Sequence, residues 1–317
     1  MNWIQTVLLG LLQGLTEYLP VSSTAHMDIA SRLLLHHDVG SAFSAVVQLG
    51  PIFAIIIYFR DDIGRYIKGI LRTRTPRNIP PDDVDARLGW YVLIGTLPLA
   101  FFGLLLEKKI DSTFRRFDVV AAAMIILAAI LYWAEKVGQR NRDIEQLSWK
   151  DSQIIGWVQA LALVPGASRS GVTITAGLFQ GMDRESAARF SFLLSIPAIT
   201  AAGLYKLAKT IYFIMKPSHF SAAAAHRIMP FHTGPPTVTE LAQFLVASLV
   251  AGLFAYVVIR WFLDYMKQHN TMLFIAYRFF LGVLIILLLS AHVLKEHSTQ
   301  PAVNTASIII EQAAWRK

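Results

Sequence analysis

The sequence predicts an all-α integral membrane protein, built as an inverted-topology repeat of broken re-entrant helices plus six transmembrane spans. Three observations predict it. The 317 residues are 55% hydrophobic and only 16% charged, where soluble domains carry about a quarter charged residues. Six apolar runs approach the roughly 20 residues that cross a bilayer as a helix. Two polar, turn-forming segments interrupt apolar sequence at corresponding places, Gln13 to His26 and Val164 to Thr173, and paired interrupted helices of this kind mark inverted repeats.

The elements follow in order. Residues 3–19 have helical apolar period but are broken by Glu17 and Pro20, and a second helical piece runs from Ser23 to about Leu35. Neither piece spans alone, so the two form a re-entrant hairpin, which is tolerated where backbone is buried in protein or faces water. Full spans are expected at 42–59, 89–106 and 118–135, with a charged loop at 60–88 and a polar linker at 136–150. Residues 153–180 are again broken, at Pro165-Gly166. Spans at 187–214, 241–263 and 272–294 complete the second half. Residues 216–239, with His219, His226 and His232, read as a loop.

Residues 1–150 and 151–297 are therefore the two repeats, and 298–317 is a tail. Gln48-Leu-Gly-Pro51 occupies the place that Leu194-Ser-Ile-Pro197 occupies in the second half. Three spans per half is an odd number, so the second half inserts upside down. The loops at 60–88, 136–151, 183–189 and 260–271 carry a modest excess of Lys and Arg over the opposite set, which puts them in the cytoplasm and both termini outside. The N-terminus lacks a basic region and a small-residue cleavage site, and reads as mature sequence.

Composition excludes some chemistry. With no cysteine, disulfides, thiolate metal sites and cysteine nucleophiles are ruled out. The net charge of +8 fits positive loops and anionic lipid rather than nucleic acid.

Ionisable side chains are costly inside a bilayer and read there as functional. In the second polar segment, Pro165-Gly166 breaks the helix and Ser168 or Ser170 caps the next one. A helix N-terminus offers unpaired N–H groups and partial positive charge to phosphate. Arg169 adds a planar guanidinium fork, and Ser168, Ser170, Gly171 and Thr173 complete an anion cradle. In the first segment, Gln13 and Glu17 share a helix face. Glu17 suits a divalent cation or a base. Ser22, Ser23 and Thr24 can cap the second half-helix or supply a nucleophile, and His26, one turn beyond Ser23, can shuttle a proton. Arg278 inside an apolar run completes the anion site or is paired structurally, and Gln48 with Pro51 lines the cavity or marks a kink. The bland readings are capping for the hydroxyls, a carbonyl partner for His26, and a structural Glu17–Arg169 pair. Metal ligand, nucleophile, base and anion clamp together suit phosphoryl transfer on a lipid-linked phosphate.

These segments resemble the signatures of the undecaprenyl-diphosphatase, or bacitracin-resistance, family. They are the box from Gln13 through Pro20-Val-Ser-Ser-Thr-Ala-His26, then Pro165-Gly-Ala-Ser-Arg-Ser-Gly171, with Gln48-Leu-Gly, Gly181-Met-Asp-Arg and Tyr277-Arg278 in the expected order. The resemblance implies hydrolysis of undecaprenyl diphosphate to the monophosphate and inorganic phosphate. That reaction recycles the cell-wall lipid carrier and confers bacitracin resistance. It also implies a divalent cation, Mg²⁺ or Ca²⁺, and residence in the bacterial inner membrane with a cavity facing the outer leaflet or periplasm. Glu17, Ser23, His26 and Arg169 match the catalytic residues; Ser168, Ser170 and Thr173, with Gly166 and Gly171, match the phosphate loop. Gln13 stands where many members have a glutamate, a weaker metal ligand. A prenyl diphosphate and membrane lipids are the expected partners, with a homodimer possible. The rival reading is a lipid-phosphate transporter or flippase using the same anion cradle. An acid-phosphatase-like lipid phosphatase ranks lower, because its later His and Asp pattern is missing.

Overall fold

A computed structural model describes residues 1–35, 39–110, 113–220 and 235–293. Among them the chain is helical throughout, with one isolated bridge, between Arg142 and Met182. His226, His232 and the tail after residue 293 lie outside the described residues.

Six helical stretches are long and apolar enough to cross a membrane: Gly40–Tyr58, Val84–Leu106, Phe117–Val137, Arg184–Met215, Val238–Gln268 and Met272–Ser290. Each overlaps one of the six spans expected from apolar run length. The first polar segment separates α1 (Trp3–Thr16) from α2 (Ser23–Leu35). The first span is jointed at Gln48 into α3 (Gly40–Val47) and α4 (Leu49–Tyr58). Pro51 causes the joint, because it has no N–H to give the preceding turn.

The charged stretch after residue 59 departs from the loop expectation. It forms α5 (Arg60–Thr73), which packs on α6 (Val84–Gly95). Tyr66, Gly69 and Thr73 are its buried face; Ile67 and Leu71 are 51% and 68% exposed. The charges that suggest a loop occupy the outer face of an amphipathic helix.

Then come α7 (Leu97–Ile110) and α8 (Phe117–Val137). The second polar segment separates α9 (Trp149–Gln159) from α10 (Arg169–Phe179). The long helices α11 (Arg184–Met215), α12 (Val238–Gln268) and α13 (Met272–Ser290) complete the bundle.

Helix α1 lies against α12, and Gly10 and Gly14 make that approach possible. A Cβ at either would collide with the backbone of Ala247 or Ala251. Without a hydrophobic driving force between helices in lipid, such small-residue contacts supply van der Waals packing instead.

At one end of the bundle the charged segments are tied together. Glu135 is 4% exposed and pairs with Arg184 and Arg140. It also accepts from the Thr271 hydroxyl at 2.7 Å. Arg142 pairs with Asp151 at 2.6 Å, and Arg189 with Asp62 at 2.9 Å. With Lys267 and Glu185 3.8 Å apart, the four segments that sequence placed on one side are joined by ion pairs.

Candidate active site

The two polar segments meet. Each makes its turn with a serine at positive φ, Ser22 at 71° and Ser168 at 65°, a conformation that is uncommon outside glycine. Each serine then begins a helix. Ser168 Oγ accepts from the Gly171 N–H at 3.1 Å, and Ser22 Oγ sits 3.4 Å from the Ala25 N–H. These caps satisfy donors that a helix start leaves unpaired.

Glu17 lies at the junction and is 6% exposed. Its Oε1 accepts from Arg169 Nη2 at 2.9 Å, across 152 positions of sequence. Its Oε2 accepts from Gln13 Nε2 at 2.6 Å and from Ser23 Oγ at 2.8 Å. A carboxylate inside a membrane protein is tolerable when its charge and lone pairs are met in this way. Arg169 also reaches the Ser191 carbonyl at 3.4 Å and stands 5.8 Å over the Tyr18 ring. Tyr18, fully buried, donates to the Pro51 carbonyl at 2.7 Å.

The hydroxyls behind Arg169 are anchored. Ser170 Oγ donates to the Leu19 carbonyl at 2.9 Å, joining one polar segment to the other. Thr173 Oγ1 donates to the Arg169 carbonyl at 2.8 Å and lies 2.6 Å from Ser191 Oγ. Arg278 is fully buried, and its Nη2 donates to the carbonyls of Gly166 at 3.2 Å and Ala167 at 2.9 Å. Its Nη1 has no hydrogen-bond partner and lies so close to Gly171 that a Cβ there would clash. An unpaired guanidinium edge and a helix N-terminus together concentrate positive charge at the start of α10.

Of the readings open to His26, the structure shows the carbonyl partner and no contact with the Ser23 hydroxyl. Its Nδ1 is 2.7 Å from the Ser22 carbonyl oxygen and its Nε2 is 2.6 Å from Tyr277 Oη. Ser23, one turn earlier, bonds Glu17 instead of the imidazole. Thr24 and Gln48 are half-buried; Gln48 sits at the α3–α4 joint. Structure therefore unites Gln13, Glu17, Ser23 and Arg169 in one hydrogen-bonded cluster, with Ser168, Ser170, Thr173 and Arg278 around the α10 N-terminus. Three participants escaped sequence reasoning: Tyr18, Ser191 and Tyr277. Their types are ordinary in membrane helices; the available signals were that Tyr18 lies inside the first polar segment and Tyr277 in the Tyr277-Arg278 motif.

No group of three or more His, Asp or Glu able to hold a metal occurs among the described residues. At Glu17 the protein oxygens are its own carboxylate and the Ser23 hydroxyl, while Gln13 turns its amide nitrogen to the carboxylate. Such a set fits a divalent ion that takes its remaining ligands from phosphate and water, the usual habit of Mg²⁺.

Comparison with known proteins gives the family. The family described as "Bacitracin resistance protein BacA" matches residues 6–284. A protein of Mycolicibacterium smegmatis named undecaprenyl-diphosphatase is 43% identical over 295 residues, covering 93% of this chain and 99% of its own. Proteins of the same name from Chloroherpeton thalassium and Chlorobaculum tepidum are each 42% identical; they cover 92% and 93% of this chain and 98% and 100% of their own. The chain belongs to the BacA bacitracin resistance protein family.

Proposed function

We propose that this chain hydrolyses undecaprenyl diphosphate to undecaprenyl phosphate and inorganic phosphate within a membrane, and so recycles the lipid carrier for cell-wall synthesis. The observation that carries this reading is the buried cluster of Glu17, Ser23 and Arg169 at the start of α10. It is a nucleophile, a carboxylate and a guanidinium beside a helix N-terminus.

In this proposal the diphosphate lies on the α10 N-terminus. The backbone N–H groups that open α10 ahead of Gly171, the Arg169 fork and Arg278 take up charge that builds on the transferring phosphoryl group. Ser168, Ser170 and Thr173 keep that floor in shape, Gly166 lets the loop turn, and Ser22, Thr24 and Gln48 line the approach. Ser23 Oγ attacks the terminal phosphorus; its proton goes to Glu17 Oε2, already its acceptor. The anhydride P–O bond breaks and the lipid monophosphate departs with the electron pair. A water molecule, its proton taken by His26, then releases phosphate from Ser23. Glu17 and Gln13 would hold the divalent cation, Mg²⁺ or Ca²⁺, with diphosphate oxygens; when bound it offsets diphosphate charge.

The two halves, 1–150 and 151–297, are proposed to be inverted repeats with re-entrant hairpins. Capping boxes open both α1 and α9, and a tryptophan follows each cap. Trp3 and Trp149, Gly10 and Gly156, Ser22 and Ser168, and Pro51 and Pro197 are all separated by one interval in sequence. The ion-paired end is assigned to the cytoplasm of the inner membrane, and the site opens toward the outer leaflet.

The test is phosphate release from a C55 or C15 prenyl diphosphate by purified protein in detergent, with Mg²⁺ and with excess chelator. Release that depends on metal and disappears in Arg169→Ala and Glu17→Ala supports the reading. No release from folded protein with any metal ends it.

A further inference from the structure

Tyr277 and Arg278 are consecutive on α13, about 100° apart around its axis, and each grips a different polar segment. Arg278 holds the Gly166 and Ala167 carbonyls of the second segment. It is fully buried, so it fixes how α13 is rotated. That rotation turns Tyr277 toward α2, where its ring lies nearly parallel to His26, at 6°, with centroids 5.6 Å apart.

The proton positions follow from the partners. The Ser22 carbonyl oxygen only accepts, so His26 Nδ1, at 2.7 Å, carries the proton. Ser22 O also receives the His26 backbone N–H at 3.3 Å, and its positive φ aims it back along α2. A neutral imidazole protonated at Nδ1 has its lone pair on Nε2. At 2.6 Å from that nitrogen, Tyr277 is the donor. The one lone pair able to act as a base is covered by a phenol that is itself 41% exposed in its residue, at the edge of the bundle.

We propose that Tyr277 is a positioning residue for His26, a phenol latch that holds the imidazole in its Nδ1–H tautomer and keeps Nε2 in place until the attacking water replaces the Tyr277 hydroxyl on it. The assignment rests on the phosphatase reading above. Tyr277 acts through His26: without the hydroxyl the ring keeps one anchor, at Ser22, and can swing about it. A misplacement of about 1 Å at a reacting group can cost on the order of a hundredfold in rate.

The experiment compares wild type, Tyr277→Phe, Tyr277→Ala and His26→Gln, each checked for a monodisperse peak in detergent. Turnover is measured on a C15 prenyl diphosphate. In parallel, without substrate, carbethoxylation of His26 by diethyl pyrocarbonate is followed by peptide mass spectrometry. Tyr277→Phe keeps the stacked ring and removes only the donor. It is expected to lower kcat about ten- to a hundredfold with KM within about threefold, and to raise His26 carbethoxylation at least about fivefold, because that reagent needs the free lone pair. Unchanged kcat in Tyr277→Phe overturns the proposal, as does unchanged His26 reactivity. Full turnover in His26→Gln removes His26 from the reaction and overturns it as well. Absence of hydrolysis by wild type would strike the phosphatase reading, and the substrate-free reactivity would still decide the Tyr277 contact. If Tyr277→Ala does not fold, the Phe variant carries the test.

Discussion

The two polar segments share a backbone plan and differ in what they carry on it. Both pass through a serine at positive φ and restart a helix immediately afterward. The first then displays Ser23 and His26 and looks back to Glu17. The second displays Arg169 and a row of buried hydroxyls whose bonds go mostly to backbone carbonyls. One segment holds groups that gain and lose protons, and the other holds fixed charge and dipoles. The lesson is that a turn geometry used twice becomes a composite site when acid–base chemistry and anion binding are assigned to different copies.

That division of labour predicts graded effects. Arg169→Ala, which strips the fixed charge, is expected to lower prenyl-diphosphate turnover by about 10³-fold or more. Arg169→Lys should recover little of it, since a point charge cannot supply the fork. A steady-state phosphate assay measures both, and substantial rescue by Lys would break the distinction. Glu17→Ala should abolish turnover and also destabilise, by about 3–5 kcal/mol, because it leaves Arg169 buried without its counter-charge. Thermal unfolding in detergent checks this; the Glu17→Ala/Arg169→Ala double variant should recover stability and no activity.

Glu135→Gln sharpens the comparison from outside the site. It should cost stability on a similar scale while turnover of the surviving folded protein stays within about threefold, since Glu135 binds Arg184, Arg140 and Thr271 and no site residue. Ser168→Ala should cost about 1 kcal/mol through loss of its cap. The smallest effect belongs to the pair of exposed Arg72 with Asp83 on the α5–α6 connection, where Arg72→Ala should cost under about 1 kcal/mol. Burial acts to raise the Asp83 pKa. The Ala86 N–H and Arg72 outweigh it and hold the carboxyl below its ordinary value. Its small contribution is therefore present at neutral pH and fades as pH falls below the ordinary aspartate range.

Much of the fold was legible because span length and apolar period are local properties. Breaks at Glu17–Pro20 and Pro165–Gly166 were legible because proline and glycine act on their own backbone. The α5 helix was not, since its charges hid the inward spacing of Tyr66, Gly69 and Thr73. In the site, residue types announced the chemistry but not the pairings. Glu17 and Arg169 meet across two halves of the chain, and Ser23 and His26, though one turn apart, turn to different partners. A hydroxyl follows the nearest strong acceptor, which is Glu17. The imidazole follows the Ser22 carbonyl and Tyr277, a neighbour supplied from the far end of the sequence.

The contact of α1 with α12 bears on how the protein is made. Gly10 and Gly14 meet Ala247 and Ala251 backbone to backbone, so α1 finds its resting place only after α12, much later in the chain, has been synthesised. Until then a helix with Glu17 near its end lacks that packing partner, and for the first half of synthesis it lacks Arg169 as well. Domains generally fold N-terminal first during synthesis, but this one is obliged to wait. A nascent chain stalled before residue 238 is thus expected to be a client for membrane quality control rather than a half-working enzyme.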